Sequence, residues 1–302
     1  MPAPEQIHTP RALLLHLLAL LPDDAAASVA LSAFYRSTDV DAWQAFVELA
    51  AIHGVLGILE PVLRRVDVPA ATAVHLQRRA VVESMWHAQV RQALADAVTA
   101  LTGAFIPVCA LKGPALAARL YDTPAVRPSI DVDLLIRPGD LSRAIACLTS
   151  AGYHAEDDAV TREYLLRHSH HLSFSRAHQP GLEIHFHAYA GFGTVMPSGA
   201  LMDRARPFEF DGASVLVPGA EDELVYLAVH AAGHSFIRLL WLYDLKQLIA
   251  RAPALDWHAV VERARALQVS GPTTAALDLL RHWLNVDVPD VVLRAGPRVR
   301  PR

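Results

Sequence analysis

The stretch Ala110–Ile136, ALKGPALAARLYDTPAVRPSIDVDLLI, decides the fold of this chain. Its pattern predicts the end of a buried strand, a Lys-Gly turn, a short helix, a loop and a second strand that begins Asp131-Val132-Asp133. Because successive side chains of a strand point to opposite faces, the two aspartates share a face and lie about 7 Å apart along it. At that spacing both carboxylates can hold one hard cation, or each can help to hold one of a pair.

A second polar-faced strand is predicted at residues 181–188, GLEIHFHA, where apolar residues alternate with Glu183, His185 and His187. If this strand lies beside the first, Glu183 becomes a third carboxylate of a metal site, and His185 lies one pleat further on the same face. The alternatives stay open: the acid pair can be the solvated face of an edge strand, and His185 can be a strand histidine without a role.

Several motifs, in this order, carry a family resemblance: LKG at 111–113, Tyr121, RPSIDVDLLI at 127–136, LEIHFH at 182–187, LYDLKQLI at 242–249 and LDWHAVVERA at 255–264. The chain resembles the uncharacterised nucleotidyltransferase family of the polymerase-beta nucleotidyltransferase superfamily over roughly residues 100 to 270. The resemblance implies that Asp131, Asp133 and Glu183 bind divalent metal and carry catalysis. One departure is that Lys112-Gly113 stands where most of the superfamily has Gly-Ser or Gly-Gly, which leaves the nucleotide pose and nucleotidyl transfer itself open.

The expected fold is α+β, with a small mixed β-sheet nucleotidyltransferase core flanked by N-terminal and C-terminal helical regions. The predicted divisions are an N-terminal helical region at 1–102, the α/β core at 103–218, a C-terminal helical region at 219–293 and a flexible tail at 294–302. The 302 residues are 53% hydrophobic and 19% charged, which is enough to bury a core of this size.

Charge and composition disfavour other classes of protein. A net charge of −4 makes a nucleic-acid partner unlikely, since such binders normally carry a basic excess. No uninterrupted apolar run reaches the length of a membrane span, so no membrane partner is expected. Cys109 and Cys147 lack the spacing of a metal or redox pair and predict free thiols in a reducing, cytoplasmic location.

Two cations near the acid pair are candidate phosphate ligands. Lys112 and Gly113 precede a predicted helix, whose N-terminus offers unpaired N–H groups and a partial positive charge. Arg127 can either clamp a phosphate or orient the aspartates, and the two roles are not separable by sequence.

The C-terminal helices supply further candidates for substrate binding, together with His185. His234, Trp241 and Asp244 can line the cleft: tryptophan offers a stacking plane, and Asp244 can pair with Arg238 or with a substrate amine. His230 and His234, at i and i+4, can also form a packed structural pair. The cluster of His168, His170 and His171 fits an alternating strand with exposed histidines better than a zinc site.

The leading hypothesis is an Mg²⁺-dependent or Mn²⁺-dependent nucleotidyltransferase that moves NMP from an NTP to a hydroxyl or phosphate of a small molecule or peptide and releases pyrophosphate. The alternative is a non-catalytic nucleotide-binding or antitoxin-like regulatory module. A third hypothesis is a metalloenzyme built on the histidines, namely His168, His170, His171, His230 and His234.

Overall fold

The computed structural model describes residues 9–66, 68, 70–155 and 159–296. The fold is mixed α+β, as expected, with a seven-stranded sheet, a separate two-stranded sheet and helices around them. The described helices are α1 (Pro10–Leu20), α2 (Asp24–Ser37), α3 (Val40–Ile52), α4 (Leu56–Leu63), α5 (Ala70–Gly103), α6 (Gly113–Leu120), α7 (Leu141–Ser150), α8 (Ala159–His168), α9 (Ser198–Asp203), α10 (Ala220–Gly233), α11 (Leu239–Arg251), α12 (Trp257–Ala266), α13 (Ser270–Leu284) and α14 (Asp290–Leu293). The described strands are β1 (Cys109–Ala110), β2 (Asp131–Leu135), β3 (His154–Ala155), β4 (His171–Ser175), β5 (Gly181–His185), β6 (His187–Gly191), β7 (Thr194–Pro197), β8 (Arg206–Phe210) and β9 (Ala213–Val217).

The acidic strand β2 lies in the middle of the larger sheet, whose order is β3-β4-β5-β2-β1-β9-β8. It runs antiparallel to β1 and parallel to β5, with Asp131 opposite Gly181 and Asp133 opposite Glu183. This register brings the two predicted acidic strands together as neighbours, so their polar faces coincide.

Two apolar clusters hold the sheet between helices. Val132 and Leu134 belong to the cluster that includes the second half of α5 and helix α7. Leu135 on the opposite face belongs to a larger cluster with α10, α11 and the N-terminal helices. The carboxylates of β2 therefore point toward the side of the sheet that the C-terminal helices cover.

The first strand is shorter than its apolar sequence suggested. The apolar run FIPVCAL at 105–111 favours one buried strand, but only Cys109 and Ala110 pair. Phe105 adopts φ 57° after α5 and is 88% exposed, and Pro107 has no N–H to donate to a neighbouring strand. The chain therefore enters the sheet at Cys109, only three residues before Lys112.

Other local predictions agree with the structure. The segment 70–101 contains no glycine or proline, which predicts one long helix or two joined ones, and it belongs to a single continuous helix, α5. Asp211-Gly212 predicts a turn, and it joins β8 and β9 in a hairpin. The division into regions stays a prediction. Residues 297–302 of the predicted tail lie outside the described residues. No helix within the described ranges combines the length and apolarity that crossing a bilayer requires.

Candidate active site

Carboxylates from β2 and β5 meet around one imidazole. His185 Nε2 lies 3.2 Å from Asp133 Oδ1 and 3.2 Å from Glu183 Oε2. The neighbouring register positions of Asp133 and Glu183 place both side chains within reach of the ring, which is only 3% exposed as a residue. We call Asp131, Asp133 and Glu183 the carboxylate cluster.

Lys112 supplies the cation nearest to this cluster. Its Nζ lies 3.0 Å from Asp133 Oδ1, so the side chain reaches from the turn before α6 across to β2. Gly113 adopts φ 69°, a conformation that disfavours any residue with a Cβ, and a Cβ there would lie 3.4 Å from the Asp131 carbonyl oxygen. The glycine therefore lets the turn pass close to the start of β2 and aims Lys112 at the carboxylates.

The cluster shifts the titration of its members in opposite directions. Burial and the neighbouring Asp133 raise the pKa of Asp131 to about 6. Burial would also raise the pKa of Asp133, but Lys112 and His185 outweigh it and hold that pKa far below its ordinary value. Burial would lower the pKa of His185, yet its hydrogen bonds to Asp133 and Glu183 raise it.

The composition of the cluster fits a divalent cation. Asp133 Oδ2 is buried and has no hydrogen-bond partner within the described part of the chain, so one carboxylate oxygen is left over for a ligand. Three carboxylates face a single ammonium, and Asp133, Glu183 and His185 each offer one atom within 4.8 Å of the others. Carboxylate oxygens are the ligands that Mg²⁺ prefers in proteins.

A cleft of about 280 Å³ opens beside Asp131. Its lining includes Lys112, Gly113, Arg127, His234 and Trp241, which are predicted substrate-binding residues, and also His230. The His234 ring centroid lies 5.1 Å from that of Trp241, and the His230 centroid 5.2 Å. Burial lowers the pKa of His230 to about 2, which keeps this ring neutral. The rings of His230, His234 and Trp241 together form an aromatic surface beside Asp131.

Arg127 and Asp244 are partners of each other. Arg127 donates from Nε to Asp244 Oδ1 at 2.8 Å and from Nη2 to Asp244 Oδ2 at 2.7 Å. Tyr121 donates its hydroxyl to Asp244 Oδ1 at 2.7 Å, and Arg127 Nη1 donates to Ser129 Oγ at 3.0 Å. We call these four residues the Arg127 network.

The Arg127 network bears on two of the predicted substrate-binding residues. Asp244 is 0% exposed and pairs with Arg127, not with Arg238, and its burial leaves no route to a substrate amine. Arg127 is 4% exposed and its planar fork is already filled by a carboxylate, so a phosphate clamp would have to break a bidentate pair. The network joins the loop before β2 to α11 through the Arg127–Asp244 pair.

Sequence patterns did not predict that two histidines at the start of β4 lie beside His185. His170 and His171 are half-buried and lie beside His185, because β4 is the neighbour of β5 and His171 is opposite His185 in the ladder. Only His168, at the end of α8, is exposed as expected. Tyr189 was missed altogether: its ring lies 5.5 Å from that of His170, on a hairpin whose sequence carries no clear alternation. The missing signal was strand order, which no local pattern contains.

Comparison with known proteins agrees with this fold and shows the family of the chain. The family described as uncharacterised nucleotidyltransferase matches residues 39–285, so the chain belongs to this family of nucleotidyltransferases. The match begins earlier and ends later than the motifs suggested, and it includes most of the N-terminal helices. A search of curated proteins found no similar sequence.

Similar solved structures are distant. The solution structure of the antibiotic-resistance factor ANT(2'')-Ia is 15% identical, with a TM-score of 0.42 over 64% of this chain and 96% of that one. Its crystal structure with adenylyl-2''-tobramycin gives 14% identity and a TM-score of 0.39 over 59% and 96%. An antigenic nucleotidyltransferase-like protein from Paracoccidioides brasiliensis is 13% identical, with a TM-score of 0.38 over 69% of this chain and 93% of that one. At these scores the neighbours carry no argument about substrate.

Proposed function

We propose that the chain is a divalent-metal-dependent nucleotidyltransferase that moves NMP from an NTP to a hydroxyl or phosphate of a small molecule or peptide. The acceptor oxygen forms a bond to the α-phosphorus, the bond from that phosphorus to the bridging oxygen breaks, and pyrophosphate leaves with the electron pair. Where the acceptor is a hydroxyl, its proton passes in the same step to a carboxylate of the cluster, and Glu183 is the candidate base. We also propose that this activity takes place in the cytoplasm.

One observation carries the proposal: carboxylates from two neighbouring strands converge beside a cleft and outnumber the cation among them. Asp131, Asp133 and Glu183 would hold Mg²⁺ or Mn²⁺. When bound, the metal neutralises triphosphate charge and makes the acceptor hydroxyl easier to deprotonate.

The residues of the chain divide the remaining work. The Lys112 ammonium directs one N–H donor to Asp133, and its other N–H donors can bind a phosphate oxygen. The backbone of Gly113 lies beside it in the same cleft. His185 holds Asp133 and Glu183 in their relative orientation through Nε2. Trp241 and His234 present ring faces to the nucleoside, while Arg127 and Asp244 keep the loop before β2 in place.

The test is transfer of label from NTPs labelled at the α-phosphate, with Mg²⁺ or Mn²⁺ and fractionated cell extract as the source of acceptor. We expect a labelled product and pyrophosphate from the native chain, and neither from Asp131→Asn or Asp133→Asn. Asp122→Asn is the matched control, because Asp122 is an exposed aspartate whose partner is Arg251 on the surface.

A nucleotide-binding module without transfer is the second candidate, favoured by the Lys112 ammonium resting on the very carboxylate that should hold metal. Calorimetry with each NTP and Mg²⁺ distinguishes the two. Equal binding by the native chain and Asp133→Ala, with no labelled product from any extract, would support the module and contradict the transferase.

A further inference from the structure

Three imidazoles form a second group of ligand atoms beside the carboxylate cluster. His171 and His185 are opposite each other on β4 and β5, and His170 directly precedes β4. The ring centroids lie 4.7 Å apart for His170 and His171, 5.0 Å for His171 and His185, and 5.4 Å for His170 and His185. One nitrogen of each ring lies within 4.8 Å of those of the other two.

The hydrogen bonding of this group is incomplete. His171 Nδ1 and His185 Nδ1 are buried and have no partner among the residues that the structure describes. Water does not replace the missing partner of His185, because its side chain is only 4% exposed. Such unpaired nitrogens are costly, since a buried polar atom gives up its water without a replacement. A row of solvated strand histidines, which the sequence favoured, would not bury them.

We infer that His170, His171 and His185 form a nitrogen-rich site for a transition-metal ion of the Zn²⁺ or Co²⁺ type. Imidazole nitrogen suits these ions, whereas Mg²⁺ takes oxygen ligands and leaves three clustered imidazoles without a purpose. Nitrogen ligands around zinc lie about 3.4 Å from one another when each is about 2.0–2.1 Å from the metal, so the three rings would close by about 1 Å.

The surrounding charge favours such an ion. Glu183 Oε1 lies 3.8 Å from His171 Nε2 and can complete a four-ligand set with an oxygen. Asp133 lies next to His185 as well, so the negative field of the carboxylate cluster extends over the imidazoles. The site makes the chain a two-cation protein, in which Glu183 is shared between an oxygen-rich position with Asp131 and Asp133 and a nitrogen-rich position on the β4 side.

The test uses the full chain without an affinity tag, stripped of metal with a chelator and then titrated with Co²⁺ in excess Mg²⁺. Intense visible bands of bound Co²⁺ report four-coordinate ligation, the histidine variants identify the ligands, and calorimetry with Zn²⁺ gives stoichiometry. We expect one ion per chain, with the dissociation constant raised at least about tenfold by His170→Gln and again by His171→Gln. His168→Gln is the matched control, since this neighbouring histidine lies outside the cluster and should bind as the native chain does.

The outcomes separate this inference from the proposed function. Asp131→Asn should abolish nucleotidyl transfer and leave Co²⁺ binding within about twofold. Absence of Co²⁺ binding, its displacement by Mg²⁺, or equal binding by folded His170→Gln and His171→Gln variants would overturn the nitrogen-rich site. His170 and His171 are half-buried, so these two variants remain informative if His185→Gln fails to fold, with circular dichroism checking each.

Discussion

The carboxylate cluster and the Arg127 network are both groups of charge near the start of β2, and the network includes two residues of the loop that leads into this strand, Arg127 and Ser129. In the Arg127 network one guanidinium meets one carboxylate through two hydrogen bonds, and Tyr121 and Ser129 occupy further positions. In the carboxylate cluster three acids meet one ammonium, and Asp133 Oδ2 has no described partner. A balanced and filled network holds structure, whereas an unbalanced one leaves capacity for a ligand.

The largest expected effect comes from the unbalanced group. Asp133→Asn keeps the size of the side chain but removes the charge, so we expect transfer to fall by roughly 10³-fold, because the charge that holds the metal is lost. Rates with α-labelled NTP measure the change. A variant that retains more than a tenth of the native rate would show that Asp133 does not hold the ion.

The balanced group should respond in stability. Asp244→Ala leaves the Arg127 guanidinium buried without its carboxylate, and breaking a buried pair in this way costs about 3–5 kcal/mol. Urea unfolding measures the loss. Asp122→Ala removes the partner of Arg251, where the two side chains are 90% and 41% exposed, and should cost less than about 1 kcal/mol. Similar losses in the two variants would contradict the distinction between buried and surface pairs.

Asp131 links charge imbalance to pH. The pKa of Asp131 is about 6 in the folded chain, above the ordinary value of 3.8. The protonated side chain therefore contributes to the stability of the fold at low pH, and this contribution is lost as the pH rises through 6. We therefore expect Asp131→Asn to stabilise the metal-free chain at pH 8 by on the order of 2–3 kcal/mol and to change little at pH 3.5–4.

Thermal or urea unfolding of both proteins across pH 4 to 8 tests this expectation. The substitution removes an ionised carboxylate that burial and Asp133 both disfavour, so the gain should appear only where Asp131 is charged in the native chain. A gain of the same size at pH 4 would mean that packing, not charge, is responsible. Asp122→Asn, which removes an exposed charge, should show no such step.

Local sequence predicted the carboxylate cluster because alternation on each strand fixes which side chains share a face. Asp131 and Asp133 follow that rule within β2, and Glu183 and His185 follow it within β5. It did not predict the Arg127 network, because Asp244 lies 117 positions from Arg127 and only the packing of α11 brings them together. It also did not place His170 and His171, since their position depends on β4 being the neighbour of β5.

The smallest effect concerns the hairpin next to the imidazoles. A Cβ at Gly233 would lie 2.1 Å from the Tyr189 hydroxyl oxygen, so Gly233→Ala must displace the Tyr189 ring, at an expected cost of about 1–2 kcal/mol. In the Tyr189→Ala background the same substitution should cost almost nothing, since the obstructing ring is gone. Gly139→Ala, which meets no atom within 4 Å, is the control. Equal costs for Gly233→Ala in the two backgrounds would show that this helix position resists a side chain for reasons other than the close approach of Tyr189.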